Sequence, residues 1–328
     1  MAQTVRQTTR VMPDLTSTPQ IAPPYQLAAT RHGAMLVNPN DIYMGQSLLR
    51  YGECCEFEIQ TLLQFLTHPQ HLPGMVIEVG SNMGVHTIPL ARALSAQNRT
   101  MLAFEPQPVI FQQLCANLAL NGLMNVLARP YACAAQPGTV SFDPPDYRSP
   151  GNFGGAIMTS SVVKSTASTA QTVPCYPLDT FVHDAPVALI KIDVEGHELR
   201  VLQGAQGILT RSHPILYVEN DRIDQSPQLI EWLLVQGYRL WWHITRAFNP
   251  TNFLHNAHNI YGDVSLINML CLHPSHNITL NGLPEITDPS YHPLGQPSPL
   301  RAIQALTPAA ADVAQIPEPS GTPCAAQH

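Results

Sequence analysis

Glu78, Glu105 and Asp193 each close or follow a short apolar run, and Gly80-Ser81-Asn82-Met83-Gly84 lies directly after the first of them. A glycine loop between a strand and a helix lets a ligand approach main-chain atoms. The helix start behind it offers unpaired N–H groups. Glu105 lies 25 residues beyond Gly80, at the end of the next apolar run. An acid there is placed to accept hydrogen bonds from ribose hydroxyls. The ordered set of strand, glycine loop, helix, strand and acid points to a nucleoside-bearing cofactor. Gly80, Ser81, Asn82, Gly84 and Glu105 are the residues expected to hold it.

A second group of polar residues follows later runs. Asp193 comes just after Val187–Ile192, where a cofactor or acceptor group would lie. Glu219 and Asn220 come just after Ile215–Val218. Neighbouring strands are about 4.8 Å apart, so the three side chains could converge. Asp193, Glu219 and Asn220 offer the hard oxygen ligands that suit Mg²⁺. His243, after Trp241-Trp242, is a candidate general base beside an aromatic wall. Lys191 sits inside an apolar run and needs a carboxylate partner, Asp193 or Glu219. Glu198 opens a helix, where an acid also serves the dipole. Asn152–Gly155, within a Gly- and Ser-rich insertion over 143–172, and Phe248, Asn249, Asn252 and Phe253 are two candidate acceptor loops.

These residues need a scaffold, and the hydrophobic pattern supplies one. Strands are expected at Met75–Val79, Thr100–Phe104, Val126–Ala132, Val187–Ile192, Ile215–Val218, Tyr238–Trp242 and Ser265–Leu272. Helices are expected at Val85–Leu94, Val109–Leu120, Gly196–Leu209 and Gln228–Gln236. Alternation of this kind predicts an α/β, mostly parallel seven-stranded sheet with helices on both faces. In such sheets ligands bind at the carboxyl ends of the strands, where the acids above fall.

Composition sets the boundaries. Of 31 prolines among 328 residues, nine fall in 275–328. That segment is expected to be a Pro-rich disordered tail, and residues 1–30 a disordered N-terminal segment, around a domain over 31–274. The chain has 23 acidic and 16 basic residues and a net charge of -7. Without a basic run it is a poor nucleic-acid binder. No window approaches the ~20 apolar residues of a membrane span, and no secretory signal opens the chain. Seven scattered cysteines make neither a disulfide framework nor a zinc pair, so a reducing cytoplasm is expected. Oligomeric state is left open.

Glu78-Val79-Gly80-Ser81-Asn82-Met83-Gly84 resembles motif I of class I S-adenosylmethionine (SAM)-dependent methyltransferases. Leu189–Glu198 (LIKIDVEGHE), Val201–Ala205 (VLQGA), Phe104-Glu105-Pro106, Leu178-Asp179 and Ile215–Asn220 (ILYVEN) resemble the signature of the FkbM methyltransferases, and Asn268-Met269-Leu270-Cys271 and Tyr51-Gly52-Glu53 are similar to bacterial members. The likeness covers residues 31–274. It implies a Rossmann-like class I methyltransferase fold, SAM as cofactor, and O-methylation of a hydroxyl on a glycan or small-molecule metabolite. Within it, Glu78 would lie near the cofactor's methionine end and Glu105 would hold the ribose. Asp193 and Glu195, inside the signature, would serve catalysis, Asp193 also touching the cofactor. The acid–Asn pair is also similar to Mg²⁺-dependent catechol-type methyltransferases. Two other readings stand beside this one. A nicotinamide oxidoreductase on a related fold lacks support because the loop is not GxGxxG. A methyltransferase-like binding module without turnover is the other.

Overall fold

The structure is a computed structural model describing residues 21–68, 72–155, 159–160, 170–276, 278–297, 302–303 and 314–315. Its first elements are a hairpin, β1 (Gln26–Thr30) and β2 (Gly33–Val37), then helices α1 (Met44–Tyr51) and α2 (Glu56–Thr67). Next come β3 (Met75–Val79), α3 (Thr87–Ser95), β4 (Met101–Phe104), α4 (Pro108–Leu120) and β5 (Val126–Arg129). Short strands β6 (Ala132–Cys133), β7 (Gly138–Phe142), β8 (Thr159–Ser160) and β9 (Gln171–Tyr176) form a second, four-stranded sheet. The chain then returns through β10 (Val187–Ile192), α5 (Glu198–Gln203), α6 (Gln206–Ser212), β11 (Ile215–Glu219), α7 (Ser226–Val235), β12 (Arg239–Arg246) and β13 (Ser265–Leu272).

The main sheet has the expected seven strands, in the order β12-β13-β11-β10-β3-β4-β5. Neighbours from β11 to β5 are parallel, while β13 runs antiparallel to both β11 and β12. Successive strand residues face opposite layers. Ile77, Ile190, Leu216 and Val218 pack with α5, α6 and α7. Val76, Leu189, Ile215 and Tyr217 pack with Leu62, Phe65 and Leu66 of α2 and with Leu90 and Leu94 of α3. Burial on both faces is why these strands read as continuous apolar runs.

Three expectations need correction. The third strand stops at Arg129 because Pro130 has no N–H for the ladder. The helix expected over Gly196–Leu209 is two helices. A Cβ on Gly204 would stand 2.2 Å from the Ala134 carbonyl oxygen, so only glycine fits where the two helices meet, and the Asp179 carboxylate accepts from the N–H groups of Gly207 and Ile208 at the start of α6. The domain also exceeds 31–274. Strand β1 precedes residue 31 and pairs with β2. Beyond 275, Leu280, Leu283 and Ile286 are buried in the two core layers, and backbone bonds join Trp242 to Pro284 and Ile286 to Leu240. Proline density hid this, because a segment without helix or strand periodicity can still bury scattered apolar side chains. Residues 1–20 and, in the tail, 277, 298–301, 304–313 and 316–328 lie outside the described residues.

Ile286, 4% exposed, tests this packing. Ile286→Ala is expected to cost about 2–4 kcal/mol by removing buried methylenes and leaving a cavity. A denaturant midpoint equal to that of the unaltered protein would restore the disordered tail.

Candidate active site

The carboxyl ends of β3, β4, β10 and β11 form the site. At the end of β3 the chain turns through Gly80, whose φ is +84°. A Cβ there would lie 1.8 Å from the Asp193 carbonyl oxygen. The loops after β3 and β10 therefore run in contact, with the Asp193 N–H bonded to the Val79 carbonyl at 3.0 Å. Asn82 follows in the left-handed region at φ 47°, and its N–H donates to Glu105 Oε2 at 3.0 Å. The Gln107 N–H donates to Glu105 Oε1 at 2.8 Å. Glu105 thus fastens the glycine loop to the β4 turn and keeps about two lone pairs free. Burial pushes its carboxyl up to about 7, against the pull of the two N–H donors.

Two cavities open on either side of this junction. One runs from Glu105 and Pro106 past Tyr131, Ala132, Cys133 and Val140. Its walls are mostly apolar, a slot for a flat base. The other, the larger, is lined by Tyr43, Cys54, Tyr261, Leu266 and Asn268 on its far side. Both share Gly80, Glu105, Gly154, Asp193 and Glu195. Gly154 is held there by the insertion: the Gln107 side chain donates to the Phe153 carbonyl at 2.9 Å, and Phe153 is fully buried.

Asp193 accepts from Lys191 Nζ at 3.0 Å, the pairing expected for a lysine in an apolar strand. Burial pulls the Lys191 pKa down, but the carboxylates of Asp193, Glu78 and Glu58 outweigh it, and the net direction is up. Burial would raise Asp193; the Lys191 charge dominates and holds it below the usual range. Glu219 is the reverse. Burial and the neighbouring Asp193 charge push it well up, and its hydrogen bond to Asp193 further favours ionised Asp193. Glu219 lines the larger cavity, and its buried Oε2 has no hydrogen-bond partner.

Glu195 adopts φ 58° and pairs with Arg222. Burial and Asp193 raise it to about 7 although Arg222 opposes them. Glu198 does not reach the cleft. Its Oε1 accepts from the N–H groups of Val194 and Gly196, which shapes the turn carrying Glu195.

Other candidates belong to a buried polar row beneath the cleft, on the α2 side of the sheet. Glu78 lies opposite Lys191 in the β3–β10 register and accepts from the Thr87 hydroxyl. It is 1% exposed and supports the loop rather than lining either cavity. Ser81 is likewise buried, its hydroxyl facing the Glu78 carbonyl. Gly84 closes the turn by donating to the Ser81 carbonyl. His243 is not a cleft base. Its Nδ1 meets the Tyr217 hydroxyl at 2.7 Å and its Nε2 the Thr61 hydroxyl at 3.3 Å. Burial lowers its pKa to about 4. Alternation along β12 turned it onto α2, away from the cleft.

The expected Mg²⁺ triad does not form. The Asn220 amide points to Met269 Sδ, and its carbonyl accepts from His292. Among the described residues, the ligand atoms that do cluster are those of Cys55, Glu58 and His86. Glu58 is already bonded to His86 and to the Asn268 amide. Of the two acceptor loops, Asn152 and Gly154 reach the larger cavity. Asn249 and Phe253 are instead bonded to Glu53, which also pairs with Arg31. Tyr43, Tyr261, Asp221, Arg222 and the apolar slot after β5 were missed. Asp221 and Arg222 obey the same end-of-strand rule as Glu219; the two tyrosines lie in loops with no periodic signal.

Residues 78–240 match the methyltransferase FkbM domain. The hexuronic acid methyltransferase AglP of Haloferax volcanii is 28% identical over 153 residues, 46% of this chain and 57% of that protein. The match thus spans little more than half of that relative. Among solved structures, methyltransferase FkbM from Methylobacillus flagellatus KT has a TM-score of 0.40 at 15% identity, over 60% of this chain and 43% of that one. The precorrin-6y C5,15-methyltransferase of Geobacter metallireducens has a TM-score of 0.37 at 13% identity, over 65% and 87%.

Proposed function

Residues 78–240 of this chain are a methyltransferase FkbM domain, and from that premise we propose a SAM-dependent O-methyltransferase acting on a hydroxyl of a glycan or small-molecule acceptor. The observation that carries it is the meeting of two cavities at Gly80, Glu105, Asp193 and Glu195. One has the walls and the acid for an adenosine, and the other has room for an acceptor. A close glycine turn, a ribose-facing acid and an apolar slot fit the cofactor's shape. When bound, SAM supplies a methyl group activated by its sulfonium.

The chain's own residues position and deprotonate. Glu105 accepts from ribose hydroxyls through its free lone pairs. Tyr131, Ala132 and Cys133 flank the base. Asp193, held ionised by Lys191, provides negative charge where a sulfonium would lie. Glu219 Oε2 accepts the acceptor's O–H. The proton leaving that hydroxyl would pass to Glu219 Oε2 as the methyl group is transferred, with the Glu219–Asp193 hydrogen bond sharing the charge. Glycan acceptors are supported by what the name of the Haloferax relative says of that protein.

Calorimetry with SAM, followed by transfer of a labelled methyl group to sugars, tests this reading. Absence of SAM binding alongside tight NADH binding would sink it. A pH series tests Glu105 separately. Only the ionised carboxyl offers every lone pair to ribose donors, so SAM affinity is expected to rise with pH through about 7 and then level. Glu105→Gln should bind more weakly and flatten that profile. An unchanged profile in the variant removes Glu105 from cofactor contact.

A further inference from the structure

We infer that the acceptor is an uncharged, polyhydroxylated ring, a neutral hexoside or cyclic polyol, and that this cleft excludes uronates. The inference rests on the methyltransferase reading above and adds the acceptor's charge class. It follows from how the charges lining the larger cavity are already paired. Glu58, Glu105, Asp193, Glu195, Glu219 and Asp221 supply six carboxyls to its wall. Among the described residues that line it, Arg222 is the one Lys or Arg, and both Glu195 and Asp221 hold it. An entering carboxylate would lose water, meet no free cation among the described residues and face carboxyls on several sides. Burying a charge without a partner is among the costlier steps in recognition.

The same pairing argues against a cationic acceptor. Asp193 is matched by Lys191, Glu58 by His86 and Asn268, and Glu105 by two backbone N–H groups. Burial and the Asp193 charge push the Glu219 carboxyl up, toward its neutral form. What remains for an acceptor is hydrogen-bonding capacity. Glu219 Oε2, buried and unpartnered, is an acceptor for a hydroxyl donor. At the rim, Tyr43 and Tyr261 stack with ring centroids 6.2 Å apart and planes 8° from parallel. Both line the cavity, and a flat aromatic pair suits the C–H face of a sugar ring.

The test uses the full chain with saturating S-adenosylhomocysteine and a panel of methyl hexosides in gluco, galacto and manno configurations. Each configuration is supplied neutral, as the 2-amino sugar and as the uronate. Saturation-transfer NMR reads binding, and labelled SAM reads methyl transfer. Neutral members are expected to bind, and the best of them to exceed its uronate by ~100-fold in kcat/KM, the scale of one unsatisfied buried polar group. Asp221→Asn frees part of Arg222 and should raise the uronate-to-neutral ratio by ~10-fold, the size of one exposed to half-buried charge contact. A merely structural Asp221 would leave that ratio unmoved. Uronates or amino sugars binding as well as the neutral series overturn the inference. So does failure of every neutral member to bind. Failure of the cofactor itself to bind, read first by calorimetry, is the separate result that sinks the methyltransferase reading.

Discussion

Gly80→Ala is expected to abolish measurable SAM binding, while Gly122→Ala leaves it unchanged. The two glycines share a left-handed backbone, with φ of +84° and +63°. An alanine at either site carries the cost of that conformation, about 1–3 kcal/mol. Only Gly80 adds a collision. Its Cβ would stand 1.8 Å from the Asp193 carbonyl oxygen, whereas nothing lies within 4 Å of a Cβ at Gly122. The obstacle at Gly80 is backbone, fixed in turn by the Asp193 N–H bond to Val79, so it cannot swing aside. Either the β3 loop or the β10 loop must move. Both line the two cavities at their junction, and a displacement of about 1 Å costs ~100-fold in a positioned site. Calorimetry reads binding, and thermal melting separates it from folding. Both variants should lose stability, Gly80→Ala by ~1–3 kcal/mol more through overpacking. Equal SAM affinity in the two variants would mean that the junction of the loops is not where the cofactor sits.

Legibility in the sequence followed the range of the interaction involved. The strands buried on both faces were readable because burial forces a continuous apolar run, and Val187–Ile192 and Ser265–Leu272 agree with the structure at both ends. Gly80, Glu105 and Asp193 were readable because the sheet places whatever follows a strand at one edge. Orientation was not readable one residue at a time. His243 and Glu78 have the right chemistry at the right end of the sheet, but alternation turns them toward α2 and α3, where Thr61 and Thr87 wait. Partners far apart in sequence were hidden too. Glu58 meets His86 and Asn268 across 28 and 210 residues, and no local pattern announces such a contact. The segment after 275 failed for a different reason. Its burial comes from single apolar residues wedged against Trp241 and Trp242, with no periodicity to reveal it.

Asp193→Asn should separate chemistry from recognition. Turnover is expected to fall by ~10²–10⁴-fold, the range for loss of a positioned proton acceptor. Binding should change selectively. Asp193 is held ionised beside Lys191, so its charge favours the sulfonium of SAM over the neutral thioether of S-adenosylhomocysteine. The variant should therefore weaken SAM more than S-adenosylhomocysteine, and a preference for SAM in the unaltered protein should shrink toward parity. Glu219→Gln keeps the volume and removes the exchangeable proton, so it should lower turnover and leave both cofactor affinities close to their original values. If the two carboxyls act as one relay, their effects will not add. The double variant should be about as slow as Asp193→Asn alone. Additive losses would mean that Asp193 and Glu219 serve separate steps, and full turnover in Asp193→Asn would remove it from the chemistry. Lys191 provides the internal control. It loses its 3.0 Å partner in Asp193→Asn but keeps Glu78 opposite it in register. The variant should therefore still fold, and an unfolded protein would show that this pair is a structural support before it is a catalytic one.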